Sequence, residues 1–339
     1  MLKYSSRSLL LAAACCAGGM AAAKTRPPVT YTYTTIYYPG SLQTSPVAVN
    51  AAGTVVGQWY DQEFNEHGFI YKDGTYTSID FPNAQSTFPS AISPNGAIVG
   101  GYLDSNYAQH GFEYTVTAAG KAVYTAINAP SGSNTILSAA APGGAVYGTT
   151  QGAGNATELF SYVKKAFTIL LSTNTPIPTT VSSNGIIAGY FAGSTYPSPT
   201  TAFTYAGGIT TTLPVPSGEV STIAYGVNAY GTVVGESVNS SYVDAGFVYT
   251  SNGTITALNP PGAASSYLTA INNRNTITGV AFDSNYNETA YSYYDGVFSP
   301  IAPPGGAAPS TISINTAGQV LGAYYGPDGA EAFLATPVP

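Results

Sequence analysis

The sequence predicts an all-β fold: a seven-bladed β-propeller of four-stranded antiparallel blades, closed by an N-terminal strand. Three observations carry that expectation. A short glycine motif returns seven times, an aromatic strand follows each copy, and the two chain ends supply complementary parts of one unit.

The glycine motif is Gly, any residue, an apolar residue, any residue, Gly. It stands at Gly53 to Gly57, Gly96 to Gly100, Gly144 to Gly148, Gly185 to Gly189, Gly231 to Gly235 and Gly318 to Gly322. A seventh copy, Asn275 to Gly279, opens with Asn. Asn and Gly are the residues that most readily take a left-handed turn conformation, which gives that exchange a physical reason. Successive copies start 41 to 48 residues apart, a spacing that fits one blade each.

After each copy comes an aromatic, preceded by a small residue in every unit but the third, where Leu159 stands: Phe69, Phe112, Phe160, Phe203, Phe247, Tyr291 and Phe333. Most are followed two residues on by Tyr, the period of a strand, with the first ring expected in the core between blades. A third run, such as Tyr76 to Phe81 or Tyr124 to Ala129, ends at Pro, and a fourth, such as Thr311 to Asn315, leads into the next motif. The seventh unit lacks its third-run strand, and Tyr31 to Gly40 supplies the matching piece at the other terminus. Closure by that strand leaves no long unpaired edge at the seam.

Residues 1–23 read as a secretory signal, with Lys3 and Arg7 before a short Leu and Ala-rich core and Ala21 to Ala23 as the cleavage site. A rival reading makes Cys15 or Cys16 a lipid-attachment site, although Ala12, Ala13 and Ala14 lack the Leu such sites favour. Residues 24–30 are expected to form a flexible leader and residues 31–339 a single propeller domain. The mature chain is then expected outside the cytoplasm, whether periplasmic, extracellular or on the cell surface, with no transmembrane helix and no cysteine. Of nine basic and 16 acidic residues, loss of Lys3 and Arg7 leaves a net charge of −9, which disfavours nucleic acid and anionic membranes.

The pattern INxxGxVVGxYxDSxxxHGFxY resembles the HAF-repeat family of extracellular bacterial proteins. Its motif stands as His67 Gly68 Phe69 and His110 Gly111 Phe112, with looser copies at Thr201 to Phe203, Ala245 to Phe247 and Glu331 to Phe333. The resemblance spans roughly Tyr31 to Leu334, and two of seven units keep the His. It implies export and a propeller-like fold, without a general biochemical activity.

The turn between the second and third strands of each unit is the candidate site. It reads Asp61 to Phe64, Asp104 to Tyr107, Asn239 to Tyr242 and Asp283 to Tyr286, with Gly193 to Tyr196 a looser copy. Phe64, Tyr107, Tyr196, Tyr242 and Tyr286 would form a circlet for a glycan or surface polymer, beside Asp104, Asn106 and Asn285 as hydroxyl partners. The competing account has each aromatic packing over its own turn, which Asp and Asn favour by bonding backbone amides. Calcium is a third reading, without an EF-hand pattern behind it. His67 and His110, the only histidines, are expected to cap strand starts rather than bind metal.

No cofactor is expected, because no GxSxG elbow, HExxH helix, P-loop or dinucleotide fingerprint is present. An enzyme reading rests only on Asp61, Glu63, Glu66 and Asp104 as carboxylates for glycan hydrolysis, and would require two acids converging near the central channel. The favoured function is a secreted binding or surface-interaction module, with a purely structural surface protein as the alternative. Sequons stand at Asn155, Asn239, Asn252 and Asn287.

Overall fold

A computed structural model describes residues 26–339, apart from 131–132, 154–155, 173–174, 193–198 and 327–328. It is a seven-bladed β-propeller of four-stranded antiparallel sheets. The first blade comprises strands Gln43–Val49, Val55–Tyr60, Glu66–Lys72 and Thr75–Ile79, from the channel outward. Blades two to six follow in order over residues 86–127, 133–171, 176–212, 219–257 and 265–301. The seventh joins Ala307–Ile314, Val320–Gly326 and Gly329–Pro337 to the N-terminal strand Tyr31–Ile36, in register from Tyr31 with Pro337 to Ile36 with Ala332. The predicted closure is therefore the observed one.

The two glycines of the motif do different work. The first sits in the turn joining the first two strands, at positive φ in every copy, from Gly53 (74°) to Gly318 (87°), and Asn275 takes its place at 60°. The second faces a β-bulge in the innermost strand: the register slips at Pro89/Ala91 opposite Gly100 and at Ala224/Gly226 opposite Gly235. A Cβ at Gly235 would lie 1.9 Å from the Ile223 carbonyl oxygen, and one at Gly100 would lie 2.2 Å from that of Phe88. Only hydrogen fits there.

The same glycine pairs on its other side with the repeat aromatic, Gly100 with Phe112, Gly189 with Phe203, Gly279 with Tyr291. The six phenylalanines at this position are fully buried and Tyr291 nearly so. Phe69 packs with Ile36, Leu321 and Ala332 of the seventh blade, so the core lies between blades. Prolines, read from the sequence as strand stops, also occur inside the innermost strands at Pro46, Pro89 and Pro178. Each sits at a bulge, on a strand whose inner edge faces the channel and needs no partner.

Polar groups tie the ring together. Asn228 Nδ2 donates to Asn275 Oδ1 (2.7 Å), Asn272 Nδ2 to Asn315 O (2.9 Å) and Asn315 Nδ2 to Asn50 O (2.9 Å), the last crossing the seam from blade seven to blade one. At the blade connections, Thr44, Thr87 and Thr135 accept backbone N–H groups from Tyr38, Phe81 and Ala129. Ahead of the closing strand, Val29 N–H donates to Ser299 Oγ (2.8 Å), laying residues before Tyr31 on the sixth blade. The signal read at residues 1–23 lies outside the described residues.

The antiparallel order puts the turns between second and third strands on one face of the disc with the blade connections. Gln62 Nε2 donates to Gly40 O in the connection into the first blade (3.0 Å), which joins the two kinds of loop directly. The glycine turns occupy the opposite face.

Candidate binding face

Four of the five predicted aromatics are described, and all four have the same setting. In each turn the opening Asp or Asn accepts a bond from its aromatic's N–H through its carbonyl, Tyr107 to Asp104 at 2.9 Å and Tyr286 to Asp283 at 3.0 Å. Its side-chain Oδ1 accepts two further amides, those of Asn106 (2.8 Å) and Ala108 (2.9 Å) at Asp104. The aromatic is left at positive φ: 64° at Phe64, 60° at Tyr107, 60° at Tyr242 and 63° at Tyr286.

The glycine turns of the opposite face provide an internal comparison, because they have the same hydrogen bonds. Gly53 N–H donates to Asn50 O while Asn50 Oδ1 accepts the amides of Ala52 and Thr54. One face thus uses Gly or Asn at the left-handed position, and the other uses Phe or Tyr in four of its blades. A bulky residue there costs about 1–2 kcal/mol, and nothing in the turn's own bonding requires it.

Nor does packing require it. Phe64 is 78% exposed, Tyr107 72%, Tyr242 75% and Tyr286 87%. At these values little of any ring is covered, by its own turn or by a neighbour. Asn106 and Asn285 are exposed beside them at the turn tips, whereas Asp104 is engaged within its turn. Tyr196 lies outside the described residues. Tyr325, 65% exposed on the last residues of a second strand, adds an aromatic to this face in blade seven that the turn pattern did not reveal.

The two histidines fasten the turns of the first two blades. His67 Nε2 lies 3.2 Å from Asp61 Oδ2 and its Nδ1 2.8 Å from Asp80 Oδ1. His110 Nε2 lies 3.1 Å from Asp104 Oδ2. Each ring stacks on a second-strand aromatic, His67 on Trp59 (4.5 Å) and His110 on Tyr102 (5.0 Å). In blade six, which has no histidine, Asn287 Nδ2 donates to Asp283 Oδ2 (2.7 Å), as Asn65 does to Asp61 in blade one (2.8 Å).

The charges follow. The side-chain bond from Asn65, helped by its amide and by His67, holds Asp61 down to about 2. His110 is the main cause lowering Asp104. Burial works against the His67 cation, but the bonds to Asp80 and then Asp61 outweigh it and carry its pKa above 6.5. This is the capping role expected of the histidines. Among the described residues, no three His, Cys, Asp or Glu side chains are grouped to hold a metal ion.

The central channel encloses about 320 Å³ and is lined by the innermost strands and their glycine turns, with Ser90, Ser138, Thr179 and Thr269 on its wall. Among the described residues, no charged side chain lines it. Of the acids the hydrolase reading used, Asp61 has both carboxylate oxygens committed to its turn, and Glu66 accepts from Tyr60 (3.3 Å). A different acid escaped sequence reasoning. Glu236 accepts a bond from Tyr225 (3.0 Å), and burial pushes its pKa up, with Asp244 adding repulsion.

No family model matches the sequence, and no curated protein does. Solved structures do match in fold. The β-propeller domain of the trilobed protease from Pyrococcus furiosus, described as having an open velcro topology, gives a TM-score of 0.58 at 11% identity, covering 92% of this chain and 98% of that one. A chain of the mitotic checkpoint complex gives 0.56 at 9% identity, covering 98% and 99%. The Pyrococcus horikoshii acylaminoacyl peptidase gives 0.56 at 12% identity over 87% of this chain, which spans about half the length of that enzyme. At such identities the likeness is one of fold alone.

Proposed function

We propose that the protein is a secreted binding module whose connection face engages an extended glycan or cell-wall polymer. The observation that carries this reading is the set of four aromatics held at positive φ and left 72–87% exposed, in a turn that on the opposite face takes Gly or Asn. Strain without packing gain is a mark of function rather than stability. Flat rings with Tyr hydroxyls suit sugar faces, and repetition around a ring adds weak contacts along one polymer. The HAF-repeat resemblance agrees with export and brings no activity of its own. A purely structural protein would have little use for rings left this exposed.

The test is retention on a panel of glycans and cell-wall polymers, comparing the mature chain with Tyr107→Gly/Tyr286→Gly. Glycine relieves the strained backbone, so the double variant keeps its melting temperature or gains up to about 1 kcal/mol per site while losing retention. A variant that bound as tightly as the parent, or one that unfolded, would return these rings to a structural role.

A further inference from the structure

The opposite face carries a second feature that the aromatic circlet does not explain. Only three arginines occur in the sequence, and two of them, Arg26 and Arg274, line one groove of about 770 Å³ at the border of blades six and seven. They come together although 248 residues separate them, Arg26 from the segment leading into the closing strand and Arg274 from the blade-six glycine turn. The chain has 16 acidic residues, yet no Asp or Glu lines this groove. The ion pairs among the described residues are those of His67 and His110, so neither guanidinium is ion-paired with an Asp or Glu.

The rest of the wall is mostly apolar and aromatic, with Thr30 and Thr276 as its uncharged polar side chains. The Arg26 guanidinium stands 5.0 Å from the centre of the Tyr294 ring, a cation–π contact within the groove lining. Tyr31 is anchored through its hydroxyl to Ser292 (2.8 Å), and Pro27 and Thr276 complete the sides. Planar guanidinium groups bind oxyanions through paired N–H donors, and ring faces beside them stack on sugar C–H groups. The volume falls within the range of ligand clefts and suits more than one sugar unit. A chain of net charge −7 repels anions at long range, but at physiological salt that field decays over about 8 Å, so the two local cations govern.

We propose that this groove binds an acidic saccharide, its carboxylate held by Arg26 and Arg274 and its ring face set against Tyr294 and Tyr31. The site is independent of the connection face. Calorimetric titration of the mature chain with an oligoglucuronate tests it, with a neutral oligoglucose of equal length and inorganic phosphate as comparisons. The expected result is uronate binding at least tenfold tighter than the neutral oligomer, weakened at least tenfold in Arg274→Gln and abolished in Arg26→Gln/Arg274→Gln, and falling as salt is raised. Both arginines are exposed, so the variants should melt as the parent does. The Tyr107→Gly/Tyr286→Gly variant should keep this affinity, which separates the groove from the circlet. Equal binding of the neutral oligomer, unchanged binding in the double arginine variant or no uronate binding would overturn the proposal. Phosphate binding as tight as the uronate would overturn the saccharide assignment.

Discussion

Gly96 and Gly100 stand four residues apart, and their replacement should fail for unrelated reasons. Gly96 has open space around it and φ of +88°, so Gly96→Ala should cost about 1 kcal/mol through backbone strain, and Gly96→Asn less, as Asn275 shows in its own blade. Gly100 has no space, so Gly100→Ala should cost about 1–3 kcal/mol or more through overpacking on the bulge, and Asn should rescue nothing. Chemical denaturation of the four variants separates the two mechanisms. Phe203→Ala, at a fully buried ring, should cost about 3–5 kcal/mol, and a loss under about 1 kcal/mol would contradict the core described above. Glu236 bears on pH: an acid whose folded pKa is raised binds its proton more tightly when folded, so its contribution falls as pH rises above the ordinary value of 4.5. Glu236→Gln keeps an acceptor for Tyr225 and should raise the melting temperature at pH 7 while leaving it unchanged at pH 4.

The turns are where the sequence was least transparent. The glycine motif was legible because each copy announces its left-handed residue by type, and the buried phenylalanines were legible because a period of two fixes their face. The aromatic turns gave a weaker signal, since Asp-x-x-Tyr is compatible with a ring lying on its own turn, and only φ and exposure decide between packing and display. The Asn links between blades and the buried Thr groups at the connections were hidden for another reason: their partners lie on other segments, and no local pattern names them. His67 offers a direct reading of one such turn. Its raised pKa means its ionic contribution is complete below 6.5 and is lost as pH rises through the folded value, whereas that of Asp61 is complete above 3.8 and is lost as pH falls to about 2. Trp59, the only tryptophan in the sequence, stacks on His67, so its fluorescence should titrate with a midpoint above 6.5. Asp80→Asn should lower that midpoint, and an unmoved midpoint would remove Asp80 from the capping arrangement.

At the scale of the whole molecule, the ring closes by the six paired positions of Tyr31–Ile36 and by the Asn315 bond to Asn50. Deleting residues 31–39 strips the outer strand from blade seven, removes the buried Ile36 and should markedly lower the melting temperature. Asn315→Ala leaves the Asn50 carbonyl without its donor and the Ala317 and Gln319 amides without their acceptor, and should cost about 1–3 kcal/mol. Closure also bears on the proposed binding role, because a closed ring presents the aromatics of blades one, two, five and six on one face. Weak contacts at fixed spacing multiply, so each ring removed should lower polymer affinity by more than its own small share. The most direct measurement is therefore a binding isotherm, on whichever glycan or cell-wall polymer retains the mature protein, for the parent, the single variants Phe64→Gly, Tyr107→Gly, Tyr242→Gly and Tyr286→Gly, and the fourfold variant. The account predicts stepwise loss to no retention in the fourfold variant with melting temperatures equal to or above the parent's; full retention by a folded fourfold variant would contradict it.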